Sequence, residues 1–317
     1  MYNLTLTNDF IFRNILGAEQ NSDLLLSLIN AIFESKGIKP VTGIHPVTPQ
    51  LPVHEVAQRE GVLDIRAIDS EKRQYDVEIQ VRSHLFFINR SIYYVARMYG
   101  GQLKRSTNFT RLKPCIGIFI LDFILFPEDS GFHHLYSLRK SESPYGELSQ
   151  DMTLHYLELP KVLKHVKTMA KDQTVSLNML EKWLYLIKRI TFPEDAMIKD
   201  FTESTPVLDR TVKEYKQFMT SEQKRNEALA HEIWLLDQGQ YKWDAQQAGR
   251  AEGLAEGLAE GRKEGIAKGI TKGMKKGITE GKKAANFENA KKMKQKGFDP
   301  KTIREITGIT LAEINAM

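Results

Sequence analysis

Apolar side chains near the N-terminus recur with the spacing of amphipathic helices. The pattern predicts one helix over Asp9–Leu16, capped by Thr7 or Asn8, and a second over Asp23–Glu34, capped by Ser22. Side-chain oxygens at cap positions accept hydrogen bonds from the free N–H groups of the first helical turn. The chain is therefore expected to begin with two short helices.

The period then changes from helical to alternating. Residues Gly61–Asp69 and Gln74–Val81 alternate apolar and polar side chains, as half-buried strands do. With Ser70–Lys72 as the turn between them, the two segments predict a β-hairpin. The apolar side chains predicted to share its buried face are Leu63, Ile65 and Ala67 on the first strand and Tyr75, Val77, Ile79 and Val81 on the second.

The remaining pattern up to residue 240 predicts an α/β fold. Apolar residues of His84–Lys104 form one helical stripe, and Pro114–Phe126 is a nearly continuous apolar run that suits a strand covered on both faces. Short strands are expected over His133–Arg139 and Leu154–Leu159, and helices over Val175–Gln240. Together these elements predict a mixed β-sheet flanked by helices. The predicted stripe consists of Leu85, Ile88, Ile92, Val95, Tyr99 and Leu103, and leaves Asn89, Arg90, Arg97 and Lys104 outside it.

The C-terminal part contains a repeat in which glycine recurs every four residues from Gly249 to Gly281. In a helix these glycines would cost about 9 kcal/mol relative to alanine, at about 1 kcal/mol each. Close helix packing along the glycine stripe would offset that cost, so we predict self-association through this segment; a flexible tether is the alternative. Residues 286–317 follow with signals for three short helices that form a small helical module. The first covers 286–296 and ends at Gly297, the second is capped by Asp299 and ends at Gly308, and the third is capped by Thr310.

Positive charge is concentrated in the same part of the chain. The net charge of the 317 residues is +5, to which residues 241–317 contribute +6 and residues 1–240 contribute −1. A basic appendage on a nearly neutral body suits a polyanionic partner, and a solvated helix face would have the same composition.

Several classes of protein are not indicated. A single cysteine, Cys115, provides neither a disulfide nor a thiolate zinc cluster, so a reducing cytoplasm is expected. We find no signal-peptide pattern, and the longest apolar run, Cys115–Phe126, is too short for a membrane span. HExxH, G-x-S-x-G, Walker A and Rossmann motifs do not occur, so metalloprotease, acyl-transfer, nucleotide-hydrolysis and hydride-transfer chemistry have no sequence support.

The predicted hairpin brings acidic side chains together. With the assumed turn, Asp64 lies opposite Glu78 and Arg66 opposite Asp76, and Gln80 follows on the same face. Directly opposed carboxylates repel each other, and their hard oxygens suit Mg²⁺ or Mn²⁺. Phosphodiester hydrolysis is the matching chemistry, with Gln80 orienting the attacking water. The alternative is a polar, solvent-facing surface with an Arg66–Asp76 pair.

The order of these motifs resembles a known nuclease family. Asp64, a short hairpin and Glu78-Ile79-Gln80 ahead of a helix are similar to the active-site core of PD-(D/E)XK nucleases. The segments TNDFIF, VLDIRAID, YDVEIQ, PCIGIFILDFILF and LHYLELPK, the Tyr93-Tyr94 helix and the glycine repeat together resemble the recombination-promoting nuclease (Rpn) family, also described as PD-(D/E)XK transposases. The resemblance covers essentially the whole chain. It implies a restriction-endonuclease-like fold with a helical C-terminal extension, and Mg²⁺-dependent DNA endonuclease activity that promotes recombination.

The resemblance also implies roles for individual residues. Asp64 and Glu78 match the metal-binding acids, and Ile79 matches the position whose carbonyl can coordinate metal in the wider superfamily. Gln80 stands where that superfamily usually has lysine, and Asp9 matches an acidic position in the first helix that assists. Because Gln80 offers a dipole in place of a charge, slow or conditional cleavage is expected.

Basic residues on or near the helix after the motif are candidates for contacts with DNA phosphates: Arg82, Arg90, Arg97, Lys104 and Arg105. We expect a nuclease-like domain over residues 1–170, a helical region over 171–240, a basic helical repeat over 241–285 and the small module over 286–317. The leading alternative function is a nuclease-fold protein with little activity that acts as a DNA-binding or assembly module.

Overall fold

The computed structural model describes residues 4–48, 63–83, 85–103, 108–142, 144, 146–169, 176–192 and 195–317. The chain divides into two compact units, Met1–Leu236 and Asp237–Met317. The first unit contains the sheet, and the second unit is helical.

The strands and helices follow one another in an α/β order. The strands are β1 (Ile44–Val47), β2 (Ile65–Asp69), β3 (Gln74–Gln80), β4 (Cys115–Leu121), β5 (His133–Arg139) and β6 (Glu147–Glu158). The helices before residue 240 are α1 (Asp9–Leu16), α2 (Ser22–Glu34), α3 (Phe87–Gly100), α4 (Leu159–Met169), α5 (Met179–Arg189), α6 (Ala196–Ser204) and α7 (Pro206–Thr220), followed by the start of α8 (Glu222–Gln295). Strand β1 and helix α4 were not expected from the sequence.

The sheet has six strands in the order β1-β2-β3-β4-β6-β5. Strands β3, β4 and β6 are parallel to one another, whereas β1, β2 and β5 pair antiparallel with their neighbours. The predicted mixed sheet flanked by helices is therefore confirmed. All seven residues of β4 are buried, as expected for a central strand covered on both faces.

The hairpin formed by β2 and β3 has the predicted register, with Arg66 opposite Asp76 and Ile68 opposite Gln74. Five of its odd-numbered residues join the larger hydrophobic core with α1, α2 and α5: Ile65, Ala67, Tyr75, Val77 and Ile79. The even-numbered residues of β3 consequently point to the other face, which α3 covers. Both faces of this hairpin are thus enclosed.

Two side chains depart from the predicted buried face of the hairpin. Leu63 packs in the smaller core with Phe87 and Val95, and Val81 is 44% exposed. The reason is that β2 begins at Ile65 and β3 ends at Gln80, so neither residue follows the alternation of the strands.

The predicted apolar stripe of α3 is correct for Val95 and Tyr99, which pack in or against the smaller core, and wrong for its first half. The residues that α3 buries are Phe87, Ser91, Val95 and Met98, whereas Ile88 and Ile92 are 41% and 46% exposed. The ring of Phe87 packs edge-on against Phe119 of β4 at 5.8 Å, and the buried face of α3 begins one residue before the predicted stripe residue Ile88. Because Arg90 lies one turn after Phe87, this orientation of α3 brings Arg90 towards the sheet.

The predicted N-caps have different outcomes. Asn8 caps α1, where its side chain accepts a hydrogen bond from the Ile11 N–H at 3.1 Å. Ser22 is not a cap, because α2 begins at Ser22 itself and its hydroxyl donates to the Glu19 carbonyl.

The second unit is helical throughout the glycine repeat, which lies inside α8. The predicted separate helix over 286–296 is the end of α8, because no residue before Gln295 interrupts the helix. It is followed by α9 (Pro300–Thr307) and α10 (Leu311–Ala316), whose predicted caps, Asp299 and Thr310, are both present. A small core of Ala290, Ile303 and Ile314 holds these ends together. Among the described residues, no helix is long and apolar enough to cross a membrane.

Candidate active site

The two motif acids lie at adjacent points of the hairpin. Asp64 directly precedes β2, and its Oδ2 accepts a hydrogen bond from the backbone N–H of Ile79 at 2.9 Å. Glu78 lies on β3 directly before Ile79, and its side chain points to the face of the sheet that α3 covers. The hydrogen bond from Ile79 therefore anchors the Asp64 carboxylate beside the strand that carries Glu78.

A third acid, Asp76, lies two residues before Glu78 on the same face. Asp76 is completely buried, and Glu78 is only 3% exposed. Both carboxylate oxygens of Asp76 and the Oε2 of Glu78 are buried without a hydrogen-bond partner. Buried polar atoms normally find such a partner, so this cluster is poorly satisfied by the protein alone.

Burial disfavours the charged forms of these acids. It raises the pKa of Glu78 to about 8, with the charge of Asp64 adding to the effect. Burial likewise raises the pKa of Asp64 to about 6, and the hydrogen bond from Ile79 opposes the rise. The pKa of Asp76 is raised well above its ordinary value by burial and by the neighbouring charges of Glu78 and Asp64.

The alternative of a solvent-facing polar surface with an Arg66–Asp76 pair is wrong. Asp76 is buried, and Arg66 donates through Nη2 to the side-chain oxygen of Gln74 at 3.0 Å. Helix α3 covers the face that this alternative leaves to solvent.

Two arginines approach the acids from different helices. The Nη2 of Arg90 on α3 lies 3.8 Å from Glu78 Oε2. The Nη2 of Arg13 on α1 lies 3.9 Å from Asp64 Oδ1 and 3.9 Å from Asp9 Oδ2. Arg13 thus links Asp9, the acid of the first helix, to the motif aspartate.

His231, near the start of α8, also belongs to this site. Its Nε2 lies 2.8 Å and 2.9 Å from the two carboxylate oxygens of Asp9. The Trp234 ring stacks on His231 at 5.9 Å, and the neighbouring Asn8 amide donates to Glu232 at 3.1 Å. Sequence reasoning missed His231, because 222 residues separate it from Asp9 and no local motif marks it.

A family model described as a PD-(D/E)XK nuclease family transposase matches residues 6–247. The chain belongs to this family. The match contains the hairpin with its acids, Asp9 and His231, and the mixed six-stranded sheet is consistent with the restriction-endonuclease-like fold. No curated protein and no solved structure gives a match.

The other predicted site residues that the structure describes lie at the end of β3, directly after it and on α3. Gln80 is half-buried at the end of β3, and its carbonyl accepts a hydrogen bond from the Asp122 N–H at 2.8 Å. Arg82 is exposed and donates through Nη1 to the Leu235 carbonyl at 2.8 Å. Arg97 is half-buried on α3, and Lys104 and Arg105 lie outside the described residues.

The chemistry of the buried acids fits a divalent cation. The buried, unpartnered oxygens of Asp76 and Glu78 are hard ligands of the type that Mg²⁺ and Mn²⁺ prefer, and a cation would offset the repulsion within the cluster. Within the described part of the chain, no three histidine, cysteine, aspartate or glutamate side chains form a complete metal site. An ion held here would therefore take only part of its ligands from side chains.

Proposed function

We propose that the protein is a Mg²⁺-dependent DNA endonuclease that hydrolyses phosphodiester bonds and promotes DNA recombination. Membership of the PD-(D/E)XK nuclease family transposases supports a nuclease-like function. The observation that carries the proposal is the proximity of the two motif acids. The Asp64 carboxylate, directly before β2, accepts a hydrogen bond from the Ile79 N–H beside Glu78, and the Oε2 of Glu78 is buried without a hydrogen bond.

In this proposal Asp64, Glu78 and the Ile79 carbonyl hold Mg²⁺, with Mn²⁺ as a substitute. The bound ion would lower the pKa of a coordinated water and neutralise charge on the scissile phosphate. Gln80, at the end of β3, orients the attacking water through its amide. Asp9, fixed by His231 and Arg13, contributes negative charge beside Asp64.

The substrate of the proposed reaction is duplex DNA. Four basic residues would contact its phosphates: Arg82, Arg90, Arg97 and Lys104. Contacts of this kind position a duplex without reading its sequence. We propose residues 1–170 as the nuclease-like domain, with 171–240 as a helical support. We also propose that it acts in the cytoplasm.

The test is cleavage of supercoiled plasmid DNA by the purified full-length protein with Mg²⁺, Mn²⁺ or EDTA. We expect nicking that depends on the ion, and its loss in Asp64→Ala and Glu78→Gln without a change in the circular dichroism spectrum. Glu71→Gln, which changes an exposed glutamate of the same hairpin, is the matched control and should cut like the wild type. Unchanged, metal-dependent nicking by Asp64→Ala would refute the assignment of the site.

The second candidate is a DNA-binding or assembly module that keeps the nuclease scaffold. It is favoured by the glutamine at position 80 and by the deep burial of Asp76. Equal DNA affinity with and without Mg²⁺, together with no nicking at any metal concentration, would support this candidate over the enzyme.

We further propose that the glycine repeat pairs two copies of the chain. A Cβ added at any of these glycines would meet nothing within 4 Å, and the large apolar residues beside them are exposed, such as Leu258 at 67% and Ile270 at 58%. Glutamate precedes the glycine in the repeats over 252–264, and lysine does so over 268–276. Antiparallel pairing centred near Ile266 would place these opposite charges side by side, whereas parallel pairing in register would place like charges together.

Light scattering and cross-linking test this pairing. Deletion of residues 249–281 should lower the particle mass, and an unaltered mass would count against the proposal. Cysteine at position 266 should cross-link to its own copy in an antiparallel pair, whereas cysteine at position 254 should not. Equal cross-linking at both positions would indicate parallel helices.

A further inference from the structure

The proposed hydrolytic site contains more acidic than basic side chains. Asp76 and Glu78 lie on one face of β3, the Asp64 carboxylate is bound beside them by the Ile79 N–H, and position 80 contributes a neutral amide. Phosphodiester hydrolysis adds further negative charge to the phosphate in the transition state, so positively charged donors near that phosphate lower the barrier. The proposed reaction therefore calls for a positively charged side chain near the scissile phosphate.

Arg90 occupies the required place. Its Nη2 lies 3.8 Å from Glu78 Oε2, and the charge of Arg90 acts on all three acids of the cluster. Arg13 is engaged elsewhere in the site, because it lies between Asp9 and Asp64. Arg90 is therefore the guanidinium that borders Glu78 on the side covered by α3.

The Arg90 side chain is held in place by aromatic rings. Its guanidinium carbon lies 5.4 Å from the ring centre of Phe87 and 6.0 Å from that of Tyr94. Phe87 is itself buried in the smaller core, so this support belongs to the packed part of the fold. A guanidinium fixed in this way needs little reorganisation when a substrate arrives.

The hydrogen-bonding state of Arg90 leaves a donor for a ligand. The Nε–H is buried and has no partner, although the side chain as a whole is 35% exposed. A guanidinium presents five N–H donors in a planar fork that matches two oxygens of a phosphate. Arg90 thus combines a fixed position beside Glu78 with a donor that no protein group uses and a side chain that is partly open to solvent.

We propose that Arg90 is a catalytic residue that binds the two non-bridging oxygens of the scissile phosphate and stabilises the charge that develops there. The inference rests on the proposed endonuclease function. In the reaction, the water oxygen forms a bond to phosphorus and the bond from phosphorus to the leaving oxygen breaks. One water proton goes to solvent and the leaving oxygen takes up a proton, so the products are a phosphate monoester and an alcohol. Arg90 supplies from α3 the positive charge that Gln80 cannot supply from β3.

Single-turnover cleavage with saturating protein separates this role from simple DNA binding. Arg90→Gln should reduce the cleavage rate by about 10²-fold to 10³-fold, as loss of one transition-state donor does, while the Kd for DNA changes by less than about 10-fold. Arg90→Lys should recover part of the rate. Gln80→Lys in the Arg90→Gln background should raise the rate by at least about 10-fold, because it returns a positive charge to the site.

Arg189→Gln is the matched control. Arg189 also lies over a phenylalanine ring, at 3.9 Å from that of Phe192, and pairs with an acid, at 3.5 Å from Asp195, with 37% exposure. Its variant should cut at the wild-type rate. A loss of activity equal to that of Arg90→Gln would indicate a general effect of removing such an arginine and would overturn the proposal.

Mg²⁺ titration calorimetry of the DNA-free protein gives a readout that does not depend on cleavage. At about pH 9, where the Glu78 carboxylate is ionised, Arg90→Gln should bind Mg²⁺ several-fold more tightly, because a cation beside Glu78 has been removed. Unchanged Mg²⁺ affinity would overturn the catalytic role of Arg90. So would a loss of cleavage rate that merely follows the loss of DNA affinity and is not rescued by Gln80→Lys. Either result would leave the endonuclease assignment intact. A wild-type protein that does not cut DNA with any metal would overturn both the catalytic role and the endonuclease assignment.

Discussion

The buried carboxylate of Glu78 makes a quantitative prediction about stability in the absence of metal. Burial raises its pKa from an ordinary 4.5 to about 8 in the folded protein. Between these values the folded state keeps the proton and the unfolded state loses it, so the free energy of unfolding falls as pH rises. At about 1.4 kcal/mol per pH unit, this loss reaches about 3 kcal/mol at pH 7 and levels off above pH 8.

The variant Glu78→Gln removes the ionisation and nearly preserves the shape of the side chain. Its free energy of unfolding should match that of the wild type near pH 4 and exceed it by about 3 kcal/mol at pH 7 in EDTA. For a domain of this size the difference corresponds to an increase in Tm of about 6–12 °C. Mg²⁺ should reduce this difference in stability, because it binds the carboxylate of the wild type and binds the amide of the variant more weakly.

Thermal unfolding followed by circular dichroism at several pH values, with EDTA or Mg²⁺, measures this effect. Glu71→Gln, on the exposed turn of the same hairpin, controls for the exchange of glutamate for glutamine. Parallel curves of Tm against pH for the wild type and Glu78→Gln would refute the reasoning, since they would mean that Glu78 ionises as easily in the folded as in the unfolded chain.

Three further predictions concern the fold around the site. Gly117→Ala should lower the free energy of unfolding by about 1–3 kcal/mol, because the added Cβ would lie 2.7 Å from Val95; an unchanged urea midpoint would contradict this packing. Glu158→Gln should lower the free energy of unfolding by about 3 kcal/mol, measurable as a lower Tm, because it removes the carboxylate that lies 2.5 Å from the ammonium group of Lys161. Cys115 should resist a thiol reagent in the folded protein, since burial raises the pKa of its thiol to about 12; rapid labelling without denaturant would argue against the buried position.

The local sequence pattern was sufficient to predict the elements whose side-chain alternation or capping depends on neighbouring residues alone. The alternating residues of β2 and β3, with a turn of fixed length, determined which residues face each other, so Arg66 lies opposite Asp76 as predicted. The caps at Asn8, Asp299 and Thr310 were likewise predictable, because each bonds to its own first helical turn.

The orientation of α3 could not be read from its own sequence. Its apolar residues are numerous enough to define more than one face, and the sequence favoured Ile88 and Ile92. Contact between Phe87 and Phe119 of β4 selects another face. That choice, made by packing between distant segments, also decides that Arg90 borders Glu78.

By itself, the sequence determined the hairpin, its register and the motif acids, because strand alternation and turn length are local properties. Only the tertiary structure decided the burial of Asp76, the orientation of α3 and the arrival of His231 beside Asp9. Burial and charge at these positions depend on segments far apart in the chain, and such contacts leave no period or spacing in a single sequence for a reader to detect.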